Sequence, residues 1–288
     1  MSLIGFHSLP SEQPKLGWLH YYGGVGQAST IPLFVLPIAI LWSARRETRV
    51  LGVLGLICAL AIGFATLNRF FYVSAACVLV VGYWPVLRRH WARAMGAAAV
   101  LGACAVLMIV YSSRERAPPV AITAEHGMSI APTLQTIVSQ DTRPLIWRFY
   151  LDKVKDRPLL GIGFGKRLPK RTYSAQAPQW LTTAEPQATT HAHNLFLNTV
   201  LQVGIIGLVL QCALFSMMFR ATLSAGGNVW IMCAGLALLV GLITKNQTDD
   251  LMWQSTMLAF WANFGWLLGR ARPDRSQAPT APSSRAGC

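Results

Sequence analysis

Two histidines stand where a long polar stretch meets a long apolar one. The sequence His191-Ala192-His193-Asn194 closes a hydrophilic stretch that begins near Ser113, and an apolar run follows at once. Ionisable groups at such a border are candidates for function by default in a membrane protein. A His-x-His pair also suggests metal binding. However, no third histidine or carboxylate motif accompanies it, so neither a metal nor another cofactor is predicted.

A glycine-rich turn earlier in the same stretch could bind an anion. Glycine occupies alternate positions from Gly161 to Gly165, with Gly163 at the centre. Four basic residues follow: Lys166, Arg167, Lys170 and Arg171. Bare backbone N–H groups beside cations can cradle a phosphate. No strand precedes the turn, which excludes a P-loop or a dinucleotide-binding turn; the alternative is a flexible turn with a solvated basic rim.

Aromatic side chains in the same stretch could contact a sugar. Tyr173 and Trp180 follow the basic cluster. Either ring could stack on a sugar ring, although packing inside the protein is the commoner use of such side chains.

An amphipathic helix is predicted between Pro144 and Arg157. Pro144 suits the first turn of a helix, and Pro158 ends it. The apolar face is expected to consist of residues at three-to-four spacing: Trp147, Tyr150, Leu151 and Val154. Such a helix can lie on a membrane surface or against membrane-spanning helices.

The elements that must position these residues are transmembrane helices. Hydrophobic residues make up 53% of the 288 positions and charged residues only 12%. About seven apolar runs are long enough to cross a bilayer: roughly 28–44, 50–67, 70–87, 94–112, 194–219, 228–244 and 251–269. The fold is therefore expected to be all-α and polytopic, with short helices in the large polar loop. The cysteines form neither a disulfide pattern nor a zinc motif, and are expected to be small buried apolar residues.

The distribution of charge predicts the topology. Short basic turns follow alternate runs: Arg45, Arg46 and Arg49; Arg88, Arg89 and Arg93; Arg220; and Arg270, Arg272 and Arg275. The positive-inside rule places these turns in the cytoplasm. Residues 1–112 are then four spans behind an external N-terminal segment, 113–193 a periplasmic catalytic loop, 194–269 three further spans, and 270–288 a disordered basic cytoplasmic tail. The net charge of +14 is explained by these turns and does not indicate nucleic acid.

Three local patterns, taken together, resemble the bacterial O-antigen ligase and polymerase superfamily, and the ligases most closely. The first is Ala65-Thr66-Leu67-Asn68-Arg69. The second is Thr142-Arg143-Pro144-Leu145-Ile146-Trp147, continuing to Pro158-Leu159-Leu160-Gly161-Ile162-Gly163. The third is His193-Asn194-Leu195-Phe196-Leu197, which reaches Gly204 after six residues. Two departures are seen: about five N-terminal helices of the family are expected to be missing, and Asn68 stands where serine is common.

The resemblance implies a chemistry and a set of roles. Members use a glycan linked to undecaprenyl pyrophosphate, so Arg69 and Arg143 are expected to hold pyrophosphate bidentately. His193 would activate the acceptor hydroxyl or orient the donor. Gly163, Lys166, Arg167, His191 and Trp180 complete the predicted binding set. The expected enzyme is a metal-independent O-antigen ligase of the bacterial inner membrane, with a periplasmic active site.

The partners follow from the same resemblance. They are the lipid-linked donor, a lipid A–core acceptor and membrane lipids. An O-antigen polymerase and a protein O-oligosaccharyltransferase remain open because they share the donor. A lipid-linked glycan transporter would instead place ionisable residues at mid-span.

Each candidate residue also has a structural interpretation. Arg69 could anchor the helix at the membrane interface, and Arg143 could pair with Asp141. His193 could cap the following helix, and His191 could be a solvated loop histidine.

Overall fold

The computed structural model describes residues 15–16, 19–20, 25–66, 68–90, 143–165, 168–184, 189–224, 228–248, 250 and 254–271. Strands β1 (Lys15–Leu16) and β2 (Leu19–His20) form a two-residue antiparallel pair. The remaining elements are helical: α1 (Val25–Ser43), α2 (Arg49–Ala65), α3 (Arg69–Gly82), α4 (Trp84–Leu87), α5 (Arg143–Val154), α6 (Leu168–Tyr173), a 3-10 turn (Ser174–Gln176), α7 (Gln179–Ala184), α8 (Leu195–Leu223), α9 (Val229–Lys245) and α10 (Gln254–Ala271). Apart from the two-residue strand pair, the expected all-α class is confirmed for the described residues.

The apolar runs correspond to helices wherever the structure describes them. Helix α8 is long and apolar enough to cross a membrane by length and composition. Four shorter apolar helical stretches accompany it: Ala28–Ser43, Arg49–Ala65, Phe70–Gly82 and Val229–Lys245. The run at 94–112 lies outside the described residues, and crossing by seven spans stays a prediction.

Small residues allow the helices to pack closely. Gly52 of α2 lies directly against the backbone of α1 near Ser43, where a Cβ atom would meet the Ser43 nitrogen at 2.2 Å. Gly241 of α9 similarly lies against the side chain of Val78 of α3. Close contact at glycine is typical of helix pairs in membranes. The side chains of α10 complete the bundle, with Phe260 packed edge-on against Phe34 of α1.

Polar contacts define two opposite ends of the bundle. At one end, Ser43 and Tyr83 share a 2.8 Å hydrogen bond, and the Tyr83 ring lies 6.3 Å from that of Trp230. The basic turns after α1 and α4 are at this end. At the other end, the Asn68 amide donates to Ser29 at 3.3 Å. The candidate residues Arg69, Arg143 and His193 belong to this second end, away from the basic turns.

Helix α8 bends sharply at Gly204. Thr222 packs against Gly235, about 11 residues or roughly 16 Å before Asn246 along α9. Leu195 is about 27 residues or roughly 40 Å from Thr222 along α8, yet its amide donates to the Asn246 carbonyl at 2.9 Å. A straight α8 cannot satisfy both contacts. Gly204 has φ 70° and ψ −172°, and this turn brings the start of α8 back to the end of α9.

The helices of the polar loop pack on that returning segment. Ile146 and Tyr150 of α5 are buried with Tyr173, Leu181, Ala192 and Leu201. The predicted apolar face of α5 is therefore only partly right. Tyr150 is buried in the core as predicted. Leu151, which was predicted to be buried, is 58% exposed, and Ile146 is buried instead.

Candidate functional site

Arg143 is held at the site end by contacts to two other parts of the chain. It is the first residue of α5, and its Nε–H donates to the Thr248 carbonyl at 2.9 Å. Its guanidinium carbon lies 5.3 Å from the centroid of the Phe70 ring. A planar guanidinium bonded at one edge and facing an aromatic ring has a defined orientation. The alternative partner, Asp141, lies outside the described residues.

Arg69 is placed next to this arginine by the cap of α3. Its backbone begins the helix, directly before Phe70, whose ring faces Arg143. Asn68 caps the helix, since its Oδ1 accepts from the amides of Phe70 and Phe71. Asparagine and serine are both strong N-caps, so the departure at Asn68 preserves the local geometry. The Arg69 side chain lies outside the described part of the structure.

His193 occupies a strained backbone position beside His191. Its φ of 48° is unusual for a residue other than glycine, and such strain is often found at functional sites. The two imidazole rings are in close contact, with centroids 3.9 Å apart and planes tilted by 35°. His191 Nδ1 shares a 3.0 Å hydrogen bond with the Thr190 hydroxyl. His191 is thus half-buried against His193, and a binding role for it stays a prediction.

The residue that caps α8 is Asn194, so the helix-cap interpretation of His193 is wrong. Asn194 Oδ1 accepts from the Leu197 amide at 3.0 Å. Its Nδ2 donates to the Gln247 carbonyl at 2.8 Å. Arg143 donates to the next carbonyl along the chain, that of Thr248. The segment Asn246–Thr248 therefore connects Arg143 to Asn194, the residue that follows His193.

Tyr150 fixes the histidine segment to α5. The side chain is fully buried, and its hydroxyl donates to the Thr189 carbonyl at 2.8 Å. Burial, with a smaller contribution from Tyr173, raises the pKa of Tyr150 well above its ordinary value. The phenol is thus kept protonated as a donor. One helix therefore carries Arg143 at its start and anchors the His191–His193 segment from its middle.

Replacing Tyr150 by phenylalanine is expected to loosen this anchor. The Thr189 carbonyl would lose its donor, which typically costs about 1–3 kcal/mol for a buried group. The thermal transition in detergent should move to lower temperature. Tyr173→Phe is the matched control. The Tyr173 hydroxyl lies 3.4 Å from the Lys153 carbonyl, which is long for a hydrogen bond. We therefore expect a smaller shift of the thermal transition. An equal shift in both variants would show that the Thr189 bond is not an anchor.

The glycine-rich turn is occupied by contacts within the protein. The Gly163 amide donates to the Gln202 carbonyl at 2.8 Å, and the Gly165 amide to Gln202 Oε1 at 2.8 Å. Gly161 has φ +65° and touches the backbone of Gln202. These glycines let the turn dock on the bend of α8. Phosphate binding by Gly163 stays a prediction, and its own amide is already engaged.

For the other predicted binding residues, a place beside Arg143 stays a prediction. Lys166 and Arg167 lie outside the described residues, and so does the side chain of Trp180. Lys170 and Arg171 are exposed on α6, while Tyr173 is buried in the loop core. The Tyr173 ring therefore packs inside the protein. The turn at Gly163 docks at Gln202 of α8. Gln202 is about nine residues after His193, which corresponds to roughly 13 Å along a helix.

The connection after α9 contains polar residues that were not singled out from the sequence. Lys245 is only 1% exposed and Asp250 5% exposed. Asn198, on the first turns of α8, donates from its amide to the Asp250 carboxylate. The rule that flags ionisable residues at the end of an apolar run applies equally here, and would have identified this connection alongside His193.

No group of three His, Cys, Asp or Glu side chains suited to a metal is found within the described residues. Within these residues, no third His, Cys, Asp or Glu side chain is placed with His191 and His193 to hold a metal ion. Independence from metal stays a prediction.

The arrangement places an arginine and a pair of histidines at one end of a bundle of apolar helices, as expected of a membrane enzyme that acts on an anionic substrate. The family model for O-antigen ligase matches residues 54–212, more than half of the chain. This range includes Arg69, Arg143 and His193. A comparison with curated proteins gave no match.

The chain belongs to the O-antigen ligase family. Members are integral membrane proteins and glycosyltransferase-type enzymes of lipopolysaccharide biosynthesis. The resemblance drawn from the three motifs is thereby confirmed.

Proposed function

We propose that this protein transfers an O-antigen glycan en bloc from undecaprenyl pyrophosphate to lipid A–core. The observation that carries the proposal is the junction at Gln247 and Thr248. Their adjacent carbonyls accept from Asn194, the neighbour of His193, and from Arg143. Residues about 50 positions apart in sequence thus meet in one place, where the start of α3 also brings Arg69.

The proposed chemistry needs a base and fixed cations. The acceptor hydroxyl loses its proton to His193 as its oxygen attacks the anomeric carbon of the donor sugar. The bond from that carbon to the pyrophosphate oxygen breaks, and undecaprenyl pyrophosphate leaves with the bonding electrons. Arg69 and Arg143 stabilise the charge that develops on the leaving group. The proton on the imidazole then passes to solvent or to the released phosphate.

The positions of ionisable residues favour transfer over transport. In the described apolar helices they stand at the ends: Arg49, Arg69, Arg220, Lys245 and Arg270. A transporter is expected to hold such groups near mid-span. The site is proposed to face the periplasm, because the basic turns lie at the other end of the bundle.

A transfer assay with defined acceptors tests the proposed function. The purified chain in liposomes is given an undecaprenyl-pyrophosphate-linked glycan with lipid A–core, with a second lipid-linked glycan, or with an acceptor protein. We expect a product only with lipid A–core. Extension of the lipid-linked glycan would identify a polymerase, and a glycosylated protein an oligosaccharyltransferase. Either product alone would contradict the proposal.

Chelation tests the absence of a metal from the mechanism. The arginines supply the positive charge that a divalent ion would otherwise provide, so activity should survive exhaustive EDTA treatment. The measurement is the rate of transfer before and after chelation, with added Mg²⁺ or Mn²⁺ as the control. A rate lost on chelation and restored by either ion would make His191 a candidate ligand.

A further inference from the structure

Three large apolar side chains project from the glycine-rich turn. Leu159 is 61% exposed, Leu160 72% and Phe164 76%. They are among the most exposed large apolar side chains in the described structure. Large apolar side chains with this exposure can mark a surface that contacts another apolar phase.

The backbone beneath these side chains is fixed. The amides of Ile205 and Ile206 donate to the carbonyls of Pro158 and Leu159 at 2.8 and 3.4 Å. The Ile162 amide donates to Leu201 at 3.1 Å. At Gly204 a Cβ atom would meet the Leu159 oxygen at 2.0 Å. The exposure is therefore set by docking on the bend of α8.

The part of α8 that follows the bend is itself long enough to cross a membrane. From Ile205 to Leu223 the helix has about 19 residues, or roughly 28 Å at 1.5 Å per residue. This length matches a hydrocarbon core of about 30 Å. Ile205 and Ile206 are half exposed, and the exposed apolar face continues down the helix with Val209 and Leu210. Pro158 and Leu159 are hydrogen-bonded to Ile205 and Ile206, and Gly163 and Gly165 to Gln202, so the backbone that carries the three side chains adjoins this face.

The charges next to the turn are suited to the headgroup layer. Arg157 is exposed directly before Pro158, and Lys170 and Arg171 are exposed on the following helix. Basic side chains at the rim of an inserted apolar segment can reach lipid phosphates while their stems stay in apolar surroundings.

We propose that Leu159, Leu160 and Phe164 form a wedge that inserts into the lipid leaflet on the side of the candidate site. Its partner is the acyl region just below the headgroups. The wedge holds the bend of α8 at the membrane interface. The returning segment Leu195–Val203 then keeps His193 at the level of the headgroups. The proposal rests on the membrane placement of the family and not on the transfer reaction.

Fluorescence quenching tests the wedge. The six cysteines, Cys58, Cys77, Cys104, Cys212, Cys233 and Cys288, are replaced. An environment-sensitive dye is then attached in separate proteins at Leu160→Cys and Phe164→Cys. Val209→Cys, 62% exposed on the spanning part of α8, is the positive control. Ala175→Cys, exposed in the 3-10 turn, is the negative control. Each protein is placed in liposomes of phosphatidylethanolamine and phosphatidylglycerol, with or without lipid carrying a nitroxide near the headgroup end of its acyl chain.

The dye at 160 and 164 should emit at shorter wavelength than at 175, and nitroxide lipid should quench it several-fold more. Emission and quenching equal to those at 175 would overturn the proposal, because the side chains would then be in water. Blue-shifted emission without quenching would also overturn it and indicate a protein cover. Quenching that appears only after addition of the lipid-linked donor would assign the surface to the donor's polyprenyl chain instead. All readouts are independent of transfer activity, so failure of the wedge and failure of the proposed function are distinguishable.

Discussion

Replacing Arg143 by alanine is expected to abolish nearly all transfer, and replacing it by lysine to remove most of it. The guanidinium is oriented by the Thr248 carbonyl at 2.9 Å and by the Phe70 ring. Lysine retains the charge but has no planar fork to bind two phosphate oxygens together. Loss of one oriented donor to developing charge typically raises the barrier by about 3–4 kcal/mol, or roughly 10²–10³ in rate.

The comparison needs a control that changes the charge of the same helix. Arg148→Ala is suitable, because Arg148 is exposed on α5 and lies outside the site. We expect near-normal transfer from it, with equal protein levels in the membrane. A double variant, Arg69→Ala with Arg143→Ala, should be inactive and should fail to retain the lipid-linked donor. Normal ligation by that double variant would refute the assignment of both arginines.

The apolar runs were sufficient to predict the helices because hydropathy is a local property. Asn68, Asn194 and Asn228 are the N-caps of α3, α8 and α9, and each ends a polar interval before an apolar run. The boundaries are therefore encoded by adjacent residues. The order in which helices pack, and the register between them, depends on contacts between distant residues that no local pattern specifies.

Helix α5 shows where a periodic pattern becomes ambiguous. Leu145, Ile146, Trp147 and Leu151 allow more than one apolar stripe that includes Tyr150. The sequence does not specify which stripe meets the core, because that choice depends on how the His191–His193 segment and α8 lie across the helix. The structure buries Ile146 and leaves Leu151 at the surface.

The candidate site shows the same division. Arg143 and His193 are identified by their places in motifs, but the carbonyl groups that hold Arg143 and Asn194, the neighbour of His193, are backbone atoms of Gln247 and Thr248. Backbone acceptors have no signature in sequence. Gly204 lies between these two cases. Its spacing from His193 is part of the motif, but the sequence does not explain why glycine is needed there. The reason is the positive φ and the contact with Leu159, which bring the start of α8 back to α9.

Replacing His193 is expected to stop transfer while leaving the donor bound. If the imidazole takes the proton of the acceptor hydroxyl, its loss should lower turnover by roughly 10²–10⁴. Arg143 would still hold the pyrophosphate, so the affinity for the lipid-linked donor should change little. The measurements are turnover of the purified variant and retention of labelled donor in the same preparation. His191→Ala should have a much milder effect, although the close contact of the two rings makes some loss expected.

Alanine alone cannot separate the loss of a base from the loss of a backbone conformation. His193 has φ 48°, and alanine is disfavoured there, whereas asparagine tolerates this region. His193→Asn therefore keeps the turn into α8 and a polar side chain but has no basic nitrogen. We expect His193→Asn to be as inactive as His193→Ala, with a thermal transition closer to that of the unchanged protein. Near-normal turnover in His193→Asn would mean that this position supports transfer through its backbone conformation. Another residue would then have to act as the base, and the carboxylate of Asp250 would be the first to test.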